Sequence, residues 1–99
     1  MPDMQRIQSA LPEMRAVQTE VRTPQEGLTL ITVLLETETE TRTHYSISVA
    51  LFTENPCSAD ARLIYDITGD RGTARSLFRL ITDGTVTPCT LSDVLEDML

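Results

Sequence analysis

Asp83-Gly84-Thr85-Val86-Thr87-Pro88-Cys89-Thr90-Leu91-Ser92-Asp93-Val94-Leu95-Glu96-Asp97-Met98-Leu99 is the last stretch of the sequence. It reads as a helix stop, a short extended link and a second helix. Thr90 and Asp93 have the spacing of a capping box, with aspartate in place of Glu or Gln. Asp93 also sets a negative charge at the positive end of the helix dipole. Leu91, Val94, Leu95, Met98 and Leu99 fall on one apolar stripe. Ser92, Asp93, Glu96 and Asp97 form the opposite face. A helix of roughly nine residues does not hold alone in water, so the stripe must lie against the rest of the chain.

Before this stretch, Asp70 is placed to cap a helix from Arg71 to Asp83. Ala74, Leu77, Phe78 and Ile81 recur at helical spacing, and Leu80 is expected to widen their stripe. Gly84 is expected to supply the left-handed stop, with Val86 making its hydrophobic contact. Arg71, Arg75 and Arg79, spaced four apart, form a cationic ridge beside the stripe.

Strands precede the helices. Tyr45 to Phe52 alternates, with Tyr45, Ile47, Val49 and Leu51 facing a core and Ser46, Ser48 and Ala50 making a small, polar face. His44 is expected at a surface or edge. Leu28 to Leu35 is rich in Leu, Ile, Val and Thr and fits a second strand. Thr23-Pro24-Gln25-Glu26-Gly27 reads as the turn before it. A hairpin partner is then expected over 14–22, although that segment's pattern is undecided between strand and helix. Glu36 to Thr43 alternates acid and threonine and is expected to form a solvated hairpin tip with fraying ends. Glu54 to Asp60 is expected to be a loop. Arg62 to Thr68 is expected to be a strand with Leu63, Tyr65 and Ile67 on one face. Residues 1–12, with Pro2 and Pro12, read as a loosely ordered arm. Residues 13–99 then make one α+β domain: a three- to four-stranded antiparallel meander sheet followed by two helices packed on one face.

Composition bounds the function. Hydrophobic residues at 40% and charged residues at 23% fit an ordinary globular chain. No apolar run reaches the roughly 18 residues of a membrane span, and the N-terminus lacks a signal pattern, so the expected location is the cytoplasm. The net charge of −7 argues against nucleic acid and anionic membranes as partners. All eight basic residues are arginine, which excludes lysine chemistry. Cys57 and Cys89 are far apart and not in a zinc pattern, so they read as reduced thiols.

The residues of the last two strands and both helices carry a likeness. Tyr45-Ser46-Ile47, Tyr65-Asp66-Ile67-Thr68 with Asp70, Val86-Thr87-Pro88, Leu91, Asp93-Val94 and Glu96-Asp97 make residues 28–99 resemble a family of short bacterial proteins of the Firmicutes type. That family carries only a domain-of-unknown-function label. Its first tripeptide looks more like Tyr-Gly-Ile, and Ser46 stands here in place of the glycine. The resemblance implies a small bacterial domain and brings no activity or cofactor with it.

No nucleotide-binding glycine loop, zinc motif or nucleophile elbow is present. Asp66, Asp70, Asp93, Glu96 and Asp97 are better explained as helix caps and a solvated face than as metal ligands, so neither metal nor cofactor is expected. The leading expectation is a non-enzymatic protein-interaction or assembly module, docking on another protein or on itself. Its surface would use Arg71, Arg75 and Arg79 and the acids Asp93, Glu96 and Asp97. The rival is a small enzyme or ligand binder with a pocket at Tyr45, Asp66 and Asp70, where a tyrosine–aspartate pair would move a proton.

Overall fold

The computed structural model describes residues 13–54 and 57–98. The expected arm at 1–12 and Leu99 of the terminal stripe lie outside these residues.

Four strands form one antiparallel sheet in the order β1-β2-β3-β4. They are β1 (Met14–Gln25), β2 (Leu28–Glu38), β3 (Thr43–Glu54) and β4 (Cys57–Thr68). Two helices follow: α1 (Arg71–Asp83) and, after a 3₁₀ turn at Pro88–Thr90, α2 (Leu91–Met98). The meander and the two trailing helices are those the alternation in the sequence predicts.

The helices cover a single face of the sheet. Leu30 and Leu34 of β2 and Tyr45, Ile47 and Val49 of β3 point into them. Ala74, Leu77, Phe78 and Ile81 descend from α1, and Leu91 and Leu95 from α2. Val86 packs into the same core, with Val94 and Met98 of α2 partly buried against it. Leu80 departs from expectation: it points away from the core and is 54% exposed.

Each helix end has a local cause. The Asp70 carboxylate accepts from the Thr73 amide at 2.7 Å, which satisfies one orphan donor of the first turn. At the other end, the Thr85 amide donates to the Thr82 carbonyl and the Val86 amide to that of Ile81. This is a Schellman arrangement, but Gly84 is right-handed and Thr85 takes the left-handed position at φ 52°. The glycine is one residue too early for the stop it was expected to make. The capping box at Thr90 is also absent. Its hydroxyl donates back to the Thr87 carbonyl at 3.2 Å, and the helix is entered through the 3₁₀ turn with Pro88 in its first position.

The strands run longer than the sequence pattern suggests. β1 continues through Pro24, which an edge strand tolerates because one side of its backbone needs no partner. A register shift between Arg22 and Gln25 absorbs the extra residue, and the turn shrinks to Glu26-Gly27, with Gly27 at φ 82°. Glu36 to Glu38 belong to β2, so the hairpin tip is only Thr39–Arg42. It is closed by the Thr39 amide donating to the Arg42 carbonyl at 2.8 Å. Cys57 to Asp60, expected in a loop, pair with β3.

β4 carries an irregularity that reverses its expected facing. Tyr45 pairs with Thr68 and Ile47 with Ile64, so three residues of β4 lie opposite the single Ser46. Asp66 sits in this bulge at φ 56°, and its amide donates to the Ser46 hydroxyl at 3.0 Å. The phase of side chains changes across the bulge. Ile64 and Ile67 therefore pack on the core, whereas Leu63 and Tyr65 stand exposed on the other side.

Candidate interaction surface

Strand pairing fixes what lies on the face away from the helices. β2 shows Thr29, Ile31, Val33, Leu35 and Thr37 there, opposite Phe52, Ala50, Ser48, Ser46 and His44 of β3. β1 adds Val21, Thr19 and Ala16 beside Ile31, Val33 and Leu35. β4 adds Ala59, Ala61 and Leu63. No Asp, Glu or Arg interrupts this array until Glu54, at the end of β3. The charged strand residues Arg15, Glu20, Arg22, Glu36, Asp60 and Arg62 take the helix-side phase of the same pairings.

Among the described residues, five of the six large apolar side chains that are exposed stand on this bare face. They are Met14, Val21, Phe52, Leu63 and Tyr65, with Leu80 the exception. At its turn end the face is closed by Tyr65, whose ring meets that of His44 edge-on at 4.8 Å. His44, expected at a surface, is only 3% exposed. Both of its ring nitrogens and the hydroxyl of Thr37 opposite it are without hydrogen-bond partners among the described residues.

The helix side holds a polar centre that the sequence reading overlooked. Glu36, expected at a solvated tip, is buried beneath the helices. It accepts from the Tyr45 hydroxyl at 2.9 Å and pairs with Arg15 across β1. The Tyr45 bond, then the Arg15 bond, hold its carboxyl below the usual range, with Arg71 adding a smaller pull. Burial, reinforced by the facing carboxylate, pushes the Tyr45 phenol up. The one signal available was position: Glu36 directly opposes Tyr45 once β2 and β3 are aligned.

Tyr45, Asp66 and Asp70 share no hydrogen bond. Tyr45 is spent on Glu36. Asp66 accepts from both terminal guanidinium nitrogens of Arg42, Nη1 at 3.2 Å and Nη2, which lowers its pKa. Asp70 serves Thr73, through its hydroxyl and its amide, and is lowered by those bonds. The three are engaged separately: one side chain is under the helices, one braces a bulge and one caps α1. Among the described residues, no three His, Cys, Asp or Glu groups converge on a metal position.

Arg71, Arg75 and Arg79 are exposed along α1. The ion pairs of the described residues are Arg15–Glu36, Arg22 with Glu20 and Asp83, and Arg42–Asp66. Among the described residues, the arginine ridge and the α2 acids Asp93, Glu96 and Asp97 therefore form no ion pair with one another. Arg75, Ser76 and Arg79 instead overhang Val17 and Gln18 of β1, lining an open groove of about 420 Å³.

The described residues thus form an α+β domain whose sheet is covered by helices on one side and, beyond the buried corner of Thr37, His44 and Ser46, open on the other. No protein-family model, curated protein or solved structure matches it. No helix among the described residues is long and apolar enough to cross a membrane.

Proposed function

We propose that this chain is a non-enzymatic protein-interaction module of the bacterial cytoplasm that docks through the bare face of its sheet. The carrying observation is that face: a four-stranded surface of apolar, threonine and serine side chains without charge inside its borders. An antiparallel sheet that keeps one side in water normally alternates apolar with polar residues. Here Leu28 to Leu35 carries three apolar residues in each phase, with only Thr29 and Thr32 between them, which is close to the pattern of a strand covered on both sides. Contiguous exposed apolar patches of this kind mark interaction sites. The free, exposed thiols of Cys57 and Cys89 fit a reducing compartment.

A photo-crosslinking side chain placed at Val33 or Ala61 in the producing cell tests the reading. Defined protein adducts are expected from both positions and not from Ser76 on α1. Adducts from Ser76 alone would move the interface to the helix side and refute the proposal.

A second reading is favoured by the groove. Two arginines without an ion-pair partner among the described residues, beside Gln18 and Ser76, suit an anionic small ligand or side chain. Titration with inorganic phosphate or a glutamate peptide, followed by amide shifts of Gln18 and Ser76, tests it. Unchanged shifts would remove it.

A further inference from the structure

We infer that the occupant of the bare sheet face is a second copy of this chain, related by a two-fold axis, so that two sheets close into a sandwich with the helices outside. The inference rests on the face being a docking surface and adds the partner.

The relief of the face carries the argument. β2 presents a ridge of branched side chains, Ile31 and Val33, flanked on β1 by Val21 and Thr19. Beside it β3 presents a trough, Ala50 opposite Ile31 and Ser48 opposite Val33, extended by Ala61 of β4. Ridge and trough lie on adjacent strands at the same height. A two-fold axis running between β2 and β3, along the strands, turns each ridge onto the other copy's trough. Ile31 then meets the second copy's Ala50, and Val33 its Ser48. An interface of this symmetry must be complementary to itself, and this relief is. The strands of the two sheets run in nearly the same direction, the aligned arrangement in which face-to-face sheets pack about 10 Å apart.

Charge and size agree with this occupant. Each copy carries −7, so repulsion between two copies is least where neither presents charge at the contact, and the bare face is that place. Four strands about 4.8 Å apart, each contributing about eight residues of roughly 3.3 Å, span about 500 Å² per copy. The pair then covers roughly 1,000 Å², the lower bound for a specific interface.

Sedimentation equilibrium of the full chain across a concentration series is the test, read with Val33→Asp and Arg79→Glu variants and with a hydrophobic dye. The wild type and Arg79→Glu are expected to run at twice the 11.0 kDa chain mass. Val33→Asp is expected to run as a monomer with an unchanged far-ultraviolet spectrum, because Val33 points away from the helix-side core. The dye is expected to bind that monomer and not the dimer. A dimer that survives Val33→Asp, or a wild-type monomer at millimolar concentration, overturns the inference. In a wild-type monomer, dye binding that Val33→Asp weakens keeps the docking face and discards only the second copy. Absence of dye binding discards both.

Discussion

Leu91 and Leu80 are the same residue type on consecutive helices with opposite fates, so truncating each isolates the role of the helix layer. Leu91 is fully buried, at 0% exposure, and Leu80 is 54% exposed. Leu91→Ala removes three buried carbons and leaves a cavity between α2 and the sheet. Such changes cost about 2–5 kcal/mol, depending on how far the site collapses. A chain of this length has roughly 5–15 kcal/mol in total, so this one side chain is a large share of it. With about 4–8 °C per kcal/mol for a domain of this size, a mid-range loss of about 3 kcal/mol lowers Tm by roughly 12–24 °C. Leu80→Ala loses no core contact and is expected to stay within about 0.5 kcal/mol of the parent. Thermal melts by circular dichroism read both, at one fixed protein concentration so that self-association does not shift Tm. If Leu91→Ala cost less than about 1 kcal/mol, or the two variants melted together, α2 would not be part of the core.

Thr85→Gly is expected to stabilise the chain by about 1 kcal/mol, since a β-branched residue at φ 52° carries a left-handed penalty that glycine avoids; denaturant midpoints read this, and a loss of stability would refute the strain. Glu36, Asp66 and Asp70 all have lowered pKa values in the fold, so the folded state favours their carboxylates. Their contribution is therefore full above a pH of about 4–5 and is lost as pH falls through the folded values. Glu36→Gln should lower the urea midpoint at neutral pH, and its deficit should shrink on acidification; a deficit that grew in acid would contradict the Tyr45–Glu36–Arg15 assignment. Self-association is expected to hold or strengthen modestly between about 0.05 and about 0.5 M salt, because no charge lies inside the bare face and salt screens the repulsion between two chains of net charge −7. Contacts between the arginine ridge and the α2 acids of another copy would weaken several-fold over that range, so a steep salt dependence would point there instead.

The fold was legible because its periods are clean. Tyr45 to Phe52 alternates, Ala74 to Ile81 has helical spacing, and Asp70 is an unambiguous cap. What escaped was set by pairing across the sheet. Glu36 sits in an acid–threonine tract that reads as solvent-exposed, and only its register against Tyr45 buries it. Alternation puts Leu63, Tyr65 and Ile67 on one face, and the bulge at Asp66 separates them, leaving Leu63 and Tyr65 exposed while Ile67 packs on the core. That bulge has no mark in a single sequence beyond an aspartate, one of the residues that tolerates the left-handed region. The bare face was half visible. Ser46, Ser48 and Ala50 read as a small second face of β3, while Leu28 to Leu35 reads only as a strand rich in Leu, Ile, Val and Thr. Joining the two needed the alignment of Ile31 with Ala50 and Val33 with Ser48.

The most direct measurement is an isotope-filtered nuclear Overhauser experiment on a one-to-one mixture of labelled and unlabelled chain. The account predicts intermolecular cross-peaks from the Ile31 and Val33 methyls to Ala50 and Ser48, and none from Ile81 or Leu91. Intermolecular peaks confined to α1 or α2, or a concentrated sample that shows none, would contradict it.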